Sequence, residues 1–271
     1  MTPLVYTGAS HRDYLGEHIR DVPLFRALLR AVECRLYEEA GPLPEPVLDL
    51  GCGDGHYAQL TFGKPLFAGL DPDSAVIMTE TRERGSYRFP MVASATEIPF
   101  ADETFNSAIA NCVVEHIPDI EAVMNETARV LQPGGRFVFG VPSNYFAEML
   151  LGSTVLRTLG LTELGGMYGD WFNLHSQHFH TDSLETWLDR LHRHGFVVDH
   201  HEYYVDITTH QLFDVLHYAS VPRLISRRLT GKWNPVPNPV SQAFFDWLLR
   251  PHFNKPAPEK GAYLFFHARK P

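Results

Sequence analysis

The stretch Val47-Leu48-Asp49-Leu50-Gly51-Cys52-Gly53-Asp54-Gly55 decides how the rest of the chain reads. Its first four residues form a short apolar run behind the proline-rich segment Gly41–Pro46, which suits a strand buried on both faces. Three glycines follow at alternate positions. Without Cβ atoms they permit a tight turn and let backbone amides approach whatever lies above them. Working outward, further strands are expected at Leu66–Leu70, near Phe89–Val92, at Ser107–Ala110 and at Arg136–Val141. Helical spacing precedes the first strand over 21–40, with Asp21 as cap and Pro23 in the first turn. It returns over 120–131, where Gln132-Pro133-Gly134-Gly135 stops it. Strands alternating with helices imply a parallel sheet covered on both faces, an α/β fold.

The ligand class follows from spacing. In an open parallel sheet the ligand lies beyond the carboxyl ends of the strands, where the strand order reverses. Asp71 closes the second strand twenty residues after Gly51, and its two acceptor oxygens suit a ribose diol. A dinucleotide turn needs a third glycine at 56, but 56 is His and the glycine falls at 55. Asp49, two residues before the first glycine, repels a pyrophosphate and attracts an ammonium group. That favours S-adenosylmethionine, whose methionine end is cationic, over NAD.

With these residues in view, the chain resembles the class I S-adenosylmethionine-dependent methyltransferases, in particular the small-molecule type with a "methyltransferase 11"-like domain. Val47–Gly55 resembles their first motif and Gly69-Leu70-Asp71-Pro72-Asp73 the second. Ala93–Phe100 resembles the adenine-side segment, and 105–117 and 131–137 resemble the fourth and fifth strand regions. The resemblance spans about 46–141, with a weaker echo at 178–196. It implies a Rossmann-like seven-stranded methyltransferase sheet, with five parallel strands plus an antiparallel hairpin. It also implies cofactor roles by position: Asp49, Gly51, Cys52 and Gly53 at the methionine end, Asp71 and Pro72 at the ribose, Ser94, Ala95 and Thr96 at the adenine, and Asn111 beneath the cofactor. Ser94 departs from the family pattern, which has Asp there; the charged acceptor is lost.

Beyond Pro142 the alternation loosens. A helix is expected over 181–194, then strands at 196–204 and 262–268, with about 57 residues between the last two. The expected organisation is an N-terminal helical segment (1–45), a Rossmann-like core (46–204 and 261–271) and a helical cap insertion (205–260). Aromatic side chains in the insertions divide between the cap's own core and an apolar acceptor pocket.

Fifteen histidines supply candidate bases. The expected catalytic residues are His178, His116 and His175. His175, His178 and His180 are placed in a loop before a helix, where the insertion meets the cofactor. Their spacing admits a metal, but no cysteine stands nearby and none is expected. Tyr6 and Tyr14 either close over the cofactor or pack.

Composition bounds the partners. The chain has 271 residues, of which 44% are hydrophobic and 20% charged, and a formal net charge of −9. Residues 1–140 carry all of that charge; 222–271 hold nine basic residues against Asp246 and Glu259. An acidic front half argues against duplex nucleic acid. The basic run 223–232 suits weak contact with an anionic substrate or membrane surface. No basic segment with an apolar stretch opens the chain, and Cys34, Cys52 and Cys112 are too scattered for a disulfide framework, so the expected compartment is the cytoplasm. The expected function is methylation of a small or medium acceptor at oxygen or nitrogen. A non-catalytic S-adenosylmethionine-binding protein and, further off, a NAD-dependent oxidoreductase remain as alternatives.

Overall fold

A computed structural model describes residues 12–220 and 238–271. Tyr6 and the basic run 223–232 lie outside the described residues.

Seven strands form one mixed sheet: β1 (Val47–Leu50), β2 (Leu66–Asp71), β3 (Tyr87–Val92), β4 (Phe105–Asn111), β5 (Leu131–Pro142), β6 (Val197–Tyr204) and β7 (Tyr263–Arg269), in the spatial order β3-β2-β1-β4-β5-β7-β6. β1 pairs in parallel with both β2 and β4, so the order reverses beside the glycine turn. β2–β3 and β4–β5 are also parallel, while β7 runs antiparallel to β5 and β6. This is the expected arrangement of five parallel strands and a hairpin.

β1, which pairs on both sides, is buried at all four residues. Apolar clusters cover both faces. On one, Phe137, Phe139 and Phe266 stack at centroid spacings of 4.5 and 5.0 Å under Trp187. On the other, the helix Leu24–Glu39 buries Leu24, Ala27, Leu28, Ala31 and Leu36. Each fully buried leucine there contributes about 1.5–3 kcal/mol.

Three expectations need correction. The helix expected over 21–40 begins at Leu24; Asp21 does not cap it but ends a separate helix, Tyr14–Asp21, and faces His56 at 3.4 Å. The Gln132–Gly135 turn does not precede β5 but lies within it. Phe105 pairs with Leu131 and Ser107 with Arg136, so the turn is an irregularity in the β4–β5 ladder, with Gly134 at φ 80°. Finally, 146–175 is helical rather than loop, with helices Phe146–Met149, Leu151–Thr158 and Thr162–His175. These pack with Ile207–Ala219: Asp214 accepts hydrogen bonds from Tyr168 Oη at 2.8 Å and from the Gly152 amide at 3.2 Å. Among the described residues no helix is long and apolar enough to cross a membrane.

Candidate active site

The glycine turn is built as its spacing requires. Gly51 has φ 69°, and a Cβ there would meet Val113 at 2.3 Å, so any side chain would collide with the segment after β4. The Gly51 and Cys52 amides both donate to the Leu70 carbonyl, at 2.8 and 3.0 Å. The Gly53 amide donates to Asp71 Oδ2 at 3.0 Å, and the Asp73 amide to Asp71 Oδ1 at 2.9 Å. Asp71 therefore joins the ends of β1 and β2. Gly53 (φ 50°) has open space where its Cβ would stand. Pro72 is exposed beside it, and Cys52 is buried.

Asp49 is buried, and Tyr87 Oη donates to its Oδ2 at 2.6 Å. Burial pushes its carboxyl up to about 7; the Tyr87 hydrogen bond opposes this and nearby Asp71 adds to it. A cation placed nearby would restore its charge.

After β3, the Ser94 hydroxyl accepts from the Thr96 amide at 3.2 Å and meets Thr96 Oγ1 at 2.7 Å. Serine thus supplies the local turn contact that an aspartate would make. Ala95 is buried and the Ala93 amide donates to the Asp71 carbonyl, which ties this loop to the end of β2.

Asn111 ends β4 and is buried. Its partner was not legible in the sequence. Asn111 Nδ2 donates to Glu33 Oε2 at 2.6 Å. Glu33, fully buried on the helix Leu24–Glu39, also accepts from Arg30 Nη1 (2.8 Å), Cys112 Sγ (3.1 Å) and Tyr204 Oη (3.1 Å). Arg30 donates a further hydrogen bond to the Asn111 carbonyl. The available signal was a glutamate three residues before Leu36 on the helix's apolar stripe. Asn111 Oδ1 has no partner among the described residues.

Two residues beyond Cys112, the turn Val114–His116 carries the second group. The backbone amides of Phe179 and His180 both donate to the Glu115 carbonyl, at 2.8 and 3.3 Å. That pins the 178–180 segment over the end of β4 and sets the His116 and His178 rings 5.2 Å apart. Phe146 packs edge-on against His178. Burial lowers both imidazoles, His178 to about 4. Burial raises the Glu115 carboxyl to about 8. At neutral pH all three are uncharged, so the 3.7 Å approach of His116 Nε2 to Glu115 Oε1 is not an ion pair.

The structure therefore brings His116 and His178 together and leaves His175 out. His175 ends an exposed helix turn and stacks on Trp171, rings 5.5 Å apart. It sits in a helix because 162–175 packs as one, not in the loop expected of it. His180 turns instead to the Ile117 and Pro118 carbonyls. Tyr14 is buried and packs.

Residues 48–139 match the family model of a methyltransferase domain. The chain is 33% identical over 130 residues to an uncharacterized methyltransferase of Mycobacterium sp. (strain JLS), covering 47% of this chain and 49% of that protein. It is 34% identical over 140 residues to a sterol 4-C-methyltransferase of Caenorhabditis elegans, covering 46% and 42%. The chain thus spans about half, or less, of the length of these relatives. Among solved structures, a SAM-dependent methyltransferase from Thermotoga maritima superposes with a TM-score of 0.53 at 17% identity, covering 92% of this chain and 91% of that one. At that identity the likeness concerns the fold. Motif match, strand order and loop geometry agree, and the chain carries a methyltransferase domain over residues 48–139.

Proposed function

We propose that this chain transfers a methyl group from S-adenosylmethionine to a small or medium-sized acceptor, at oxygen or nitrogen. The observation that carries the reading is a juxtaposition. A glycine cradle closed by Asp71 stands at the ends of β1 and β2, and a pair of uncharged imidazoles stands at the end of β4. The cradle fits the cofactor: open space over Gly53, a carboxylate at the ribose position, a buried carboxyl that a cation would recharge, and an unpaired Asn111 Oδ1.

S-adenosylmethionine, when bound, supplies an electrophilic methyl carbon. The rest falls to the chain. Asp71 would hold the ribose hydroxyls, Ala95 and Ser94 the adenine edge, and Asp49 and the Gly51–Gly53 amides the methionine end. The Glu33–Asn111–Arg30 network fixes the floor between cofactor and acceptor, which is how a methyltransferase gains most of its rate: by orientation and exclusion of water. His178 and His116, unprotonated at neutral pH, hold lone pairs toward an acceptor O–H or N–H. The apolar wall is Phe146, with the Thr162–His175 helix behind it.

The test is a methyl-transfer assay over a panel of hydroxylated and amino acceptors, following S-adenosylhomocysteine release and acceptor mass. Turnover with at least one acceptor class is expected. Cofactor binding without transfer to any of them would reduce the chain to a binding protein.

A further inference from the structure

We propose that Glu115, His116 and His178 together bind one first-row divalent cation, and that the acceptor is a molecule that presents oxygen donors to it.

One ligand atom from each of the three side chains lies within 4.8 Å of the other two. A bound first-row cation needs neighbouring ligands about 3 Å apart, so small side-chain rotations close the set. Glu115 is 1% exposed, and its Oε2 has no hydrogen-bond partner among the described residues. A buried carboxyl oxygen left this way destabilises the fold unless something external satisfies it. His116 does not do so: its Nε2 approaches the other oxygen, Oε1, and at 3.7 Å is too far for a hydrogen bond even there.

The imidazoles are also prepared as ligands. His116 Nδ1 lies 3.1 Å from the Gln177 carbonyl, and His178 Nδ1 lies 3.3 Å from Asn173 Oδ1. A carbonyl oxygen accepts, so each Nδ1 carries the proton and each Nε2 keeps its lone pair. An imidazole that donates from its far nitrogen to an oxygen is the usual arrangement of a metal-binding histidine. Two imidazoles and one carboxylate suit iron, manganese, cobalt, nickel or zinc better than magnesium or calcium, which prefer oxygen alone. Three protein ligands leave coordination positions open, and the His116 side chain, 40% exposed, gives access to them.

The acceptor class follows, and this part rests on the proposed function. A hydroxyl held against a divalent cation loses its proton more easily. In the transfer the acceptor O–H gives its proton to water and the oxygen lone pair forms the O–CH3 bond. The CH3–S bond breaks with its electron pair returned to sulfur, leaving S-adenosylhomocysteine. The cation therefore favours oxygen over nitrogen, and an acceptor with a second oxygen donor beside the hydroxyl.

The experiment is a titration of chelator-treated full chain with Co2+, followed by visible absorption and calorimetry, with S-adenosylhomocysteine titrated into the same preparations. One Co2+ per chain at micromolar affinity is expected. Glu115→Gln and His178→Asn, checked for retained fold by circular dichroism, should each weaken it about tenfold or more. His192→Ala, on an exposed helix face, should not. No binding to the parent chain would overturn the site, as would binding that survives both substitutions. S-adenosylhomocysteine binding without Co2+ binding would sink the cation site and spare the cofactor reading. The reverse would spare the cation site and sink the methyl-transfer reading.

Discussion

The two ends of the site are finished in opposite ways. At the ends of β1 and β2 the chain satisfies itself: both Asp71 oxygens accept amides, and the Gly51 and Cys52 amides share the Leu70 carbonyl. At the end of β4 it does not. Glu115 Oε2 and Asn111 Oδ1 are buried without partners among the described residues, while His116 and His178 engage carbonyl oxygens through Nδ1. Self-satisfied groups fix a shape that a ligand then meets. Unsatisfied groups mark where a ligand must supply the missing partner. On the proposed reading the first end takes a cofactor of fixed chemistry and the second the acceptor, with Asn111 on the floor between them.

The sharpest way to break that division is at Asp71. Asp71→Ala orphans two loop amides and removes the ribose carboxylate, so affinity for S-adenosylmethionine should fall about 100-fold or more in equilibrium dialysis. Unchanged affinity would remove Asp71 from the cofactor end. Next, His178→Ala should lower turnover by about 10- to 100-fold while cofactor affinity stays within about twofold. Equal losses in both would make His178 a packing residue. Third, Glu33→Gln tests whether the floor between the two ends is structural. The variant trades a charge-assisted acceptor for an amide among four donors and should lose about 1–3 kcal/mol in denaturant unfolding. No loss would mean the network contributes only position.

Each end also holds a buried histidine that must stay neutral. His18 lies beside His56 at the start of the helix after the glycine turn, and His210 lies against Phe146. Burial lowers them to about 4 and about 3. Both values sit below the unfolded value near 6.5, so below that pH the unfolded chain binds more protons than the native one. Stability should be full above about 6.5 and fall towards pH 4 by up to about 1 kcal/mol per pH unit for each. His18→Gln should flatten that slope; an unaltered slope would mean His18 is already protonated in the fold. The smallest effect is expected from Tyr87→Phe. Removing the hydroxyl bonded to Asp49 raises that carboxyl further, and cofactor affinity near neutral pH should drop only a few-fold.

The same division explains what the sequence made legible. The cofactor end is written locally: Asp49, the three glycines and Asp71 lie within one strand–helix–strand unit, and their roles follow from backbone conformation. The acceptor end is assembled from 30–33, 111–116, 146 and 173–180, segments far apart in the chain. His116 and His178 could be named as candidates, but their meeting depends on the Glu115 carbonyl accepting the Phe179 and His180 amides, which no spacing rule reveals. His175 misled because a histidine three residues before His178 looks equivalent until the Thr162–His175 helix turns it onto Trp171. The turn before β5 misled because prolines and glycines usually end a strand, whereas here they bulge inside one.

One titration tests the central assignment most directly: calorimetry of the purified chain with S-adenosylhomocysteine, and with NAD in parallel. The account predicts micromolar binding of S-adenosylhomocysteine and no heat from NAD. Binding of NAD alone would show that the third glycine, at 55 rather than 56, does not select the ligand as argued, and silence from both would contradict the cofactor site itself.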